Sequence, residues 1–134
     1  GSYRVLRCRL PVDGPCRPDV VIDNLPGFPD NIDNGLNGRF WIGLVNPRNA
    51  IVDRTSGRPF VRKVLQRLPA ALRPKPVRSS HVIAIDVNGE VLMDLQDPAA
   101  RFPMLTGALE LPHRIYLGTL TGTRLPYVDK SDLL

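Results

Sequence analysis

A five-residue pattern occurs twice in this chain, as Arg39-Phe40-Trp41-Ile42-Gly43 and as Arg114-Ile115-Tyr116-Leu117-Gly118. Each copy reads Arg, apolar, aromatic, aliphatic, Gly, inside a short β-patterned run bounded by turn residues. Self-similarity at a fixed spacing marks a repeat architecture, and a strand-rich unit of this kind is what a propeller blade requires. The chain is too short to hold enough such units to close a ring, so the pattern implies a piece of a propeller.

The rest of the chain fits many short strands. Fourteen prolines and eleven glycines in 134 residues suit tight turns, and the 43% hydrophobic content is that of a globular chain. No apolar run approaches the roughly 18 residues needed to span a membrane as a helix. The start at Gly1-Ser2 rather than Met reads as an excised or processed segment. The net charge of +5 comes almost wholly from arginine, scattered singly rather than gathered on one face. Nucleic-acid binding calls for a basic face interleaved with stacking aromatics, and none is evident. The Arg-over-Lys bias, with much Leu, Ala and Pro, points to a GC-rich bacterial gene and a cytoplasmic or periplasmic product. Cys8 and Cys16 flank a Pro/Gly turn. A hairpin there would bring them within disulfide reach, while two free thiols in a reducing compartment remain equally compatible.

Read in order, residues 3–10 and 19–23 form a first hairpin. Residues 24–30 (NLPGFPD) form a stiff connector, 31–34 an extended segment, and 39–45 a strand. Within 46–80, Phe60, Val61, Val64, Leu65 and Leu68 recur at helical spacing after Pro59 and stop at Pro69, which predicts one amphipathic helix near 58–68. Its opposite face carries Arg62, Lys63 and Arg67 and accounts for the local charge. Residues 81–87 and 90–95 around Asn88-Gly89 predict a tight primed-turn hairpin. Residues 103–109 extended, 115–120 and 123–128 complete the strands, and 129–134 read as frayed. The fold expected is all-β, a partial β-propeller of about two blades of antiparallel four-stranded sheet with one helical insertion. It divides into the outer hairpin of a preceding blade (1–27), a complete blade carrying the insertion (28–98), and most of a last blade (99–134). A small antiparallel sandwich with one helix is the alternative.

The run Asp23-Asn24-Leu25-Pro26-Gly27-Phe28-Pro29-Asp30-Asn31-Ile32, followed by Gly38-Arg39-Phe40-Trp41-Ile42-Gly43, closely resembles the strictosidine synthase-like family of six-bladed propellers. Tyr3-Arg4-Val5-Leu6-Arg7 and Tyr116-Leu117-Gly118-Thr119 extend the resemblance over nearly the whole chain, at the family's C-terminal part. The resemblance implies a central channel into which Asp30, Asn31 and Thr106 point. In related lactonase and arylesterase propellers such a channel holds a divalent cation, usually calcium, and the matching positions here are Asp30 and Asn31. A hard cation takes carboxylate and amide oxygens, which agrees with that pair. A pair of this composition also shapes turns in many proteins.

Strictosidine synthases use a glutamate near the start of the last blade's inner strand, a position that falls at Thr106. A threonine cannot accept a proton as a carboxylate does, which argues against a Pictet–Spengler condensation. Thr106 also lies at the repeat offset from Asn31. The reading is therefore a fragment whose parent is a metal-dependent ester or lactone hydrolase acting on a small-molecule ligand, the catalytic residues themselves being unassigned. The alternative is a non-catalytic, self-associating assembly module. Either way the uncovered strand at 123–128 predicts a homo-oligomer or a bound remainder of the propeller. His81 and His113 read as surface residues and Glu110 as a turn residue. Ser79-Ser80-His81 has no acid nearby in sequence with which to build a triad. Trp41 and Phe40 read as packing residues between sheets.

Overall fold

A computed structural model describes residues 3–10, 13–50 and 77–133. The helix expected near 58–68 lies outside the described residues. Nine strands occur among them: β1 (Val5–Arg7), β2 (Asp19–Ile22), β3 (Gly27–Asn34), β4 (Phe40–Pro47), β5 (Ser80–Ile85), β6 (Val91–Asp97), β7 (Leu105–Glu110), β8 (Arg114–Thr119) and β9 (Tyr127–Asp129). They form three antiparallel sheets in which every hydrogen-bonded neighbour is also the next strand in sequence: β1-β2, β3-β4-β5-β6 and β7-β8-β9. Up-and-down sheets of this kind, stacked face to face, are the architecture of a partial β-propeller. The described helices are two short 3-10 turns, Leu36–Gly38 and Lys130–Leu133.

Alternation along β4 and β5 builds the core. Trp41 on β4 with Val82 and Ala84 on β5 point to one side, where they meet Leu105, Ala108, Ile115 and Leu117 of the three-stranded sheet. Ile42 and Leu44 with Ile83 and Ile85 point to the other side, against Tyr3, Leu25, Val5 and Ile22. The four-stranded sheet is thus covered on both faces. Every residue of β5 is buried as a result, and its sequence SHVIAI reads as a nearly continuous apolar run instead of alternating. Trp41 is fully buried (0% exposed) and closes the contact between the two larger sheets.

The boundaries shift in ways that have local causes. β3 begins at Gly27, so the segment expected as a connector is already strand. Pro29 is tolerated because β3 is the edge of its sheet, where a missing N–H breaks no ladder bond. The hairpin at Asn88-Gly89 is real, but its turn is not a primed two-residue one. Gly89 N–H donates to the Asp86 carbonyl (3.2 Å), Asp86 N–H to the Glu90 carbonyl (2.9 Å), and only Gly89, at φ +88°, takes the left-handed region. This is a three-residue loop, a type I turn closed by a glycine bulge. The Asp86 carboxylate favours it by accepting the N–H groups of Asn88 and Glu90, each at 2.8 Å.

The last strand is shorter than expected, Tyr127–Asp129, because the chain before it is irregular up to Pro126. The segment after it is not frayed: Lys130 N–H donates to the His113 carbonyl (2.9 Å), and Leu133 packs on the core. Cys8 and Cys16 form a disulfide across the first hairpin, with Cα atoms 6.1 Å apart.

Candidate functional site

The two innermost strands, β3 and β7, each carry a bulge at the same place. On β3, Pro29 pairs with Leu44 and Ile32 with Ile42, so Asp30 and Asn31 together face the single residue Gly43. On β7, Leu105 pairs with Thr119 and Gly107 with Gly118, which leaves Thr106 as the extra residue. A bulge re-aims side chains that a regular strand would send to opposite faces. The Asp30 and Asn31 side chains accordingly lie together, with Asn31 Nδ2 3.4 Å from Asp30 Oδ2. Asp30, Asn31 and Thr106 all line one open cavity of about 840 Å³.

The register revises one equivalence. Asp33 pairs with Trp41 and Leu109 with Tyr116, so the inner strands are offset by one residue more than the strands that carry the repeated pattern. The structural counterpart of Thr106 is therefore Asp30, at the bulge itself, and Asn31 matches Gly107. The cause is the connection between inner strand and next strand, which is one residue shorter in the second unit. Asp33, which sequence reading passed over, lines the same cavity. Its carboxylate lies across Gly107, where any β-carbon would strike it. Two-residue alternation from Asn31 was the signal that could have found it. Among the described residues no three His, Cys, Asp or Glu side chains gather as a metal cluster.

Three other residues sit elsewhere than expected. Glu110 ends β7 with its side chain fully buried, accepting from Trp41 Nε1 (2.9 Å) and the Leu36 N–H (3.0 Å) and pairing with Lys130 Nζ (2.6 Å). It joins the two larger sheets and is not a turn residue. His81 is buried, not on the surface, with Nε2 2.8 Å from Asp94 Oδ1 across the β5–β6 pair. An acid partner does exist, then, but Ser80 directs its hydroxyl to the Phe102 carbonyl (2.7 Å) and no triad is assembled. His113 is exposed, as expected.

Stacked antiparallel sheets whose innermost strands bulge into a shared cavity define the class: a segment of a β-propeller. The chain is a homologue of strictosidine synthase-like proteins. It is 34% identical over 123 residues to the adipocyte plasma membrane-associated protein of Bos taurus, a match covering 86% of this chain and 29% of that protein. It is 32% identical to the protein of that name from Danio rerio, over 86% of this chain and 29% of that one. It is 25% identical to protein strictosidine synthase-like 4 of Arabidopsis thaliana, over 88% of this chain and 31% of the plant protein. The chain therefore spans under a third of the length of these relatives. They come from animals and a plant and lend no support to the bacterial origin read from composition. No family model and no solved structure matches the chain. No described helix is long and apolar enough to cross a membrane.

Proposed function

We propose that the cavity at Asp30, Asn31 and Thr106 is part of the ligand channel of a propeller that hydrolyses esters or lactones with the help of calcium. The observation that carries this reading is the paired bulges, which deliver matching positions of two successive inner strands, Asp30 and Thr106, into one cavity. The donor set suits a hard cation: carboxylates of Asp30 and Asp33 and the amide oxygen of Asn31 are oxygen ligands, and no thiol or imidazole lines the cavity. Calcium takes six to eight oxygens, so further ligands would come from other parts of a longer protein or from water. A cation held there supplies polarisation of a substrate carbonyl and stabilisation of the oxyanion that develops on it.

The residues of this chain would do the rest by position. Asp30 and Asn31 are fixed side by side by the bulge, so both oxygens can address one point. Thr106 offers a hydroxyl that can donate or accept a hydrogen bond to the ligand. With threonine at that position, no carboxylate is supplied there for proton abstraction in an amine–aldehyde condensation. Leu109 and Tyr116 on the far wall give the ligand an apolar surface.

Calcium at millimolar concentration should raise the melting temperature of the chain, as linkage requires for anything that binds the folded state preferentially. Asp30→Ala should abolish that rise while leaving the metal-free melting temperature within a few degrees of wild type, since loss of an exposed turn or bulge carboxylate costs about 1 kcal/mol or less. Calorimetry with and without calcium checks both. An equal loss of stability under the two conditions would leave Asp30 a purely structural residue and remove the metal reading.

A further inference from the structure

We infer that the outer face of the three-stranded sheet is an interaction surface for a second copy of this chain. Leu109, Tyr116 and Tyr127 are directly paired across β7, β8 and β9, so their side chains form one row on one face. Leu109 is 56% and Tyr127 50% exposed. Arg114 lies flat over the Tyr127 ring, 4.4 Å from its centre, and its Nε donates to Asp129 (2.7 Å), which levels the face into a platform of aliphatic, aromatic and stacked guanidinium groups. Contiguous surface of this composition is what the centres of protein interfaces are made of.

The repeat within the chain says what covers such a row. Its counterpart in the four-stranded sheet is Asp33, Trp41 and Ala84, paired in the same way across β3, β4 and β5. That row is roofed by the three-stranded sheet, and Trp41 and Ala84 are fully buried there. The covering surface is the reverse face of a neighbouring antiparallel sheet, never the same face turned on itself. The chain carries one reverse face with nothing over it: Leu6 and Val20 pair directly across β1 and β2 and are 50% and 52% exposed, while Val5 and Ile22 of those strands turn inward to the core. A second copy thus lays its Leu6–Val20 face over the Leu109–Tyr116–Tyr127 row of the first. The contact is head-to-tail and repeats until it closes. Leu109 and Tyr116 also line the cavity described above, so the docked copy would wall its open side. The association does not depend on what the cavity binds.

Light scattering on the purified chain at tens of micromolar tests this. The wild type should run at twice its monomer mass or more. Tyr127→Glu and Leu6→Glu should each shift the association midpoint at least tenfold toward monomer, with Leu109→Lys as a second variant of the same row, and far-ultraviolet circular dichroism should show all three still folded. A mixture of the Tyr127→Glu and Leu6→Glu chains retains one intact pair of faces, so it should form a dimer and nothing larger. A monomeric wild type would overturn the inference and leave the row to a further sheet of a longer polypeptide. Association that survives in all three variants would overturn it equally. Loss of association in Tyr127→Glu but not in Leu6→Glu would overturn the head-to-tail pairing of faces.

Discussion

Gly43→Ala is expected to destabilise the chain by about 3 kcal/mol, which for a domain of this size lowers the melting temperature by roughly 10 °C. A β-carbon at Gly43 would run into the carbonyl group of Thr106 and the backbone nitrogen of Gly107. Those are main-chain atoms of β7, so no rotamer change can relieve the overlap and the two larger sheets must move apart. Trp41, two residues away on the same face, would lose its close packing as they did. Two other glycines calibrate the effect. At Gly118 an added β-carbon would meet the Thr106 hydroxyl at 2.9 Å, a side-chain tip that can turn away, so Gly118→Ala should cost less. At Gly38 nothing lies within 4 Å, but the backbone sits at φ +75°, so Gly38→Ala should cost only the backbone penalty of about 1–2 kcal/mol. Thermal melts of the three variants should rank Gly43 well below the others. Equal losses at Gly43 and Gly38 would mean that the sheets are not in van der Waals contact at this point.

Why Gly43 matters was only half legible in the sequence. The repeated pattern ending in Gly43 and Gly118 announced equivalent strands, and their pairing into antiparallel sheets follows from it. The bulges opposite those glycines could not be read, because a bulge is a mismatch in count between two strands and needs the cross-strand pairing to be seen. For the same reason Thr106 was matched to Asn31, when one residue fewer in the second connection makes Asp30 its partner. Composition placed Asp30, Asn31 and Thr106 as candidates, and they do share a cavity. Asp33 shares it too, yet it looked like one more polar residue in a polar run.

His81 and Glu110 failed differently. Each is a charged or titratable residue at the end of a β-patterned run, where exposure is the ordinary expectation. Each is buried because a partner distant in sequence satisfies it: Asp94 for His81, and for Glu110 an indole 69 residues before it. Short-range pattern cannot anticipate a hydrogen bond of that span.

Glu110 also supports the second large effect. Its Oε2 accepts from the Trp41 indole and the Leu36 N–H, with Arg39 Nε at 3.4 Å, while Oε1 faces Lys130 Nζ at 2.6 Å. Burial alone would push the carboxyl up, but the ammonium of Lys130, the indole and backbone donors and the Arg39 charge outweigh it and hold Glu110 below its ordinary value of 4.5. A carboxylate depressed in the folded state contributes stability that is fully present above the unfolded value and is lost as pH falls through the folded one. The chain should therefore lose stability progressively as pH drops below about 4.5. Glu110→Gln keeps the shape but leaves Lys130, only a quarter exposed, facing a neutral amide. The cost at neutral pH should be about 3 kcal/mol, the lower end for breaking a buried pair because Lys130 can turn partly to water. Urea melts from pH 7 to pH 3 separate the charge from the shape: the variant should start lower and show a shallower acid limb than wild type. Removing both charges in Glu110→Gln/Lys130→Met should recover part of the loss, since the ammonium is no longer stranded. Parallel acid limbs in wild type and Glu110→Gln would show that the charge of Glu110 contributes nothing, and that the sheets are held by Trp41 and its apolar neighbours alone.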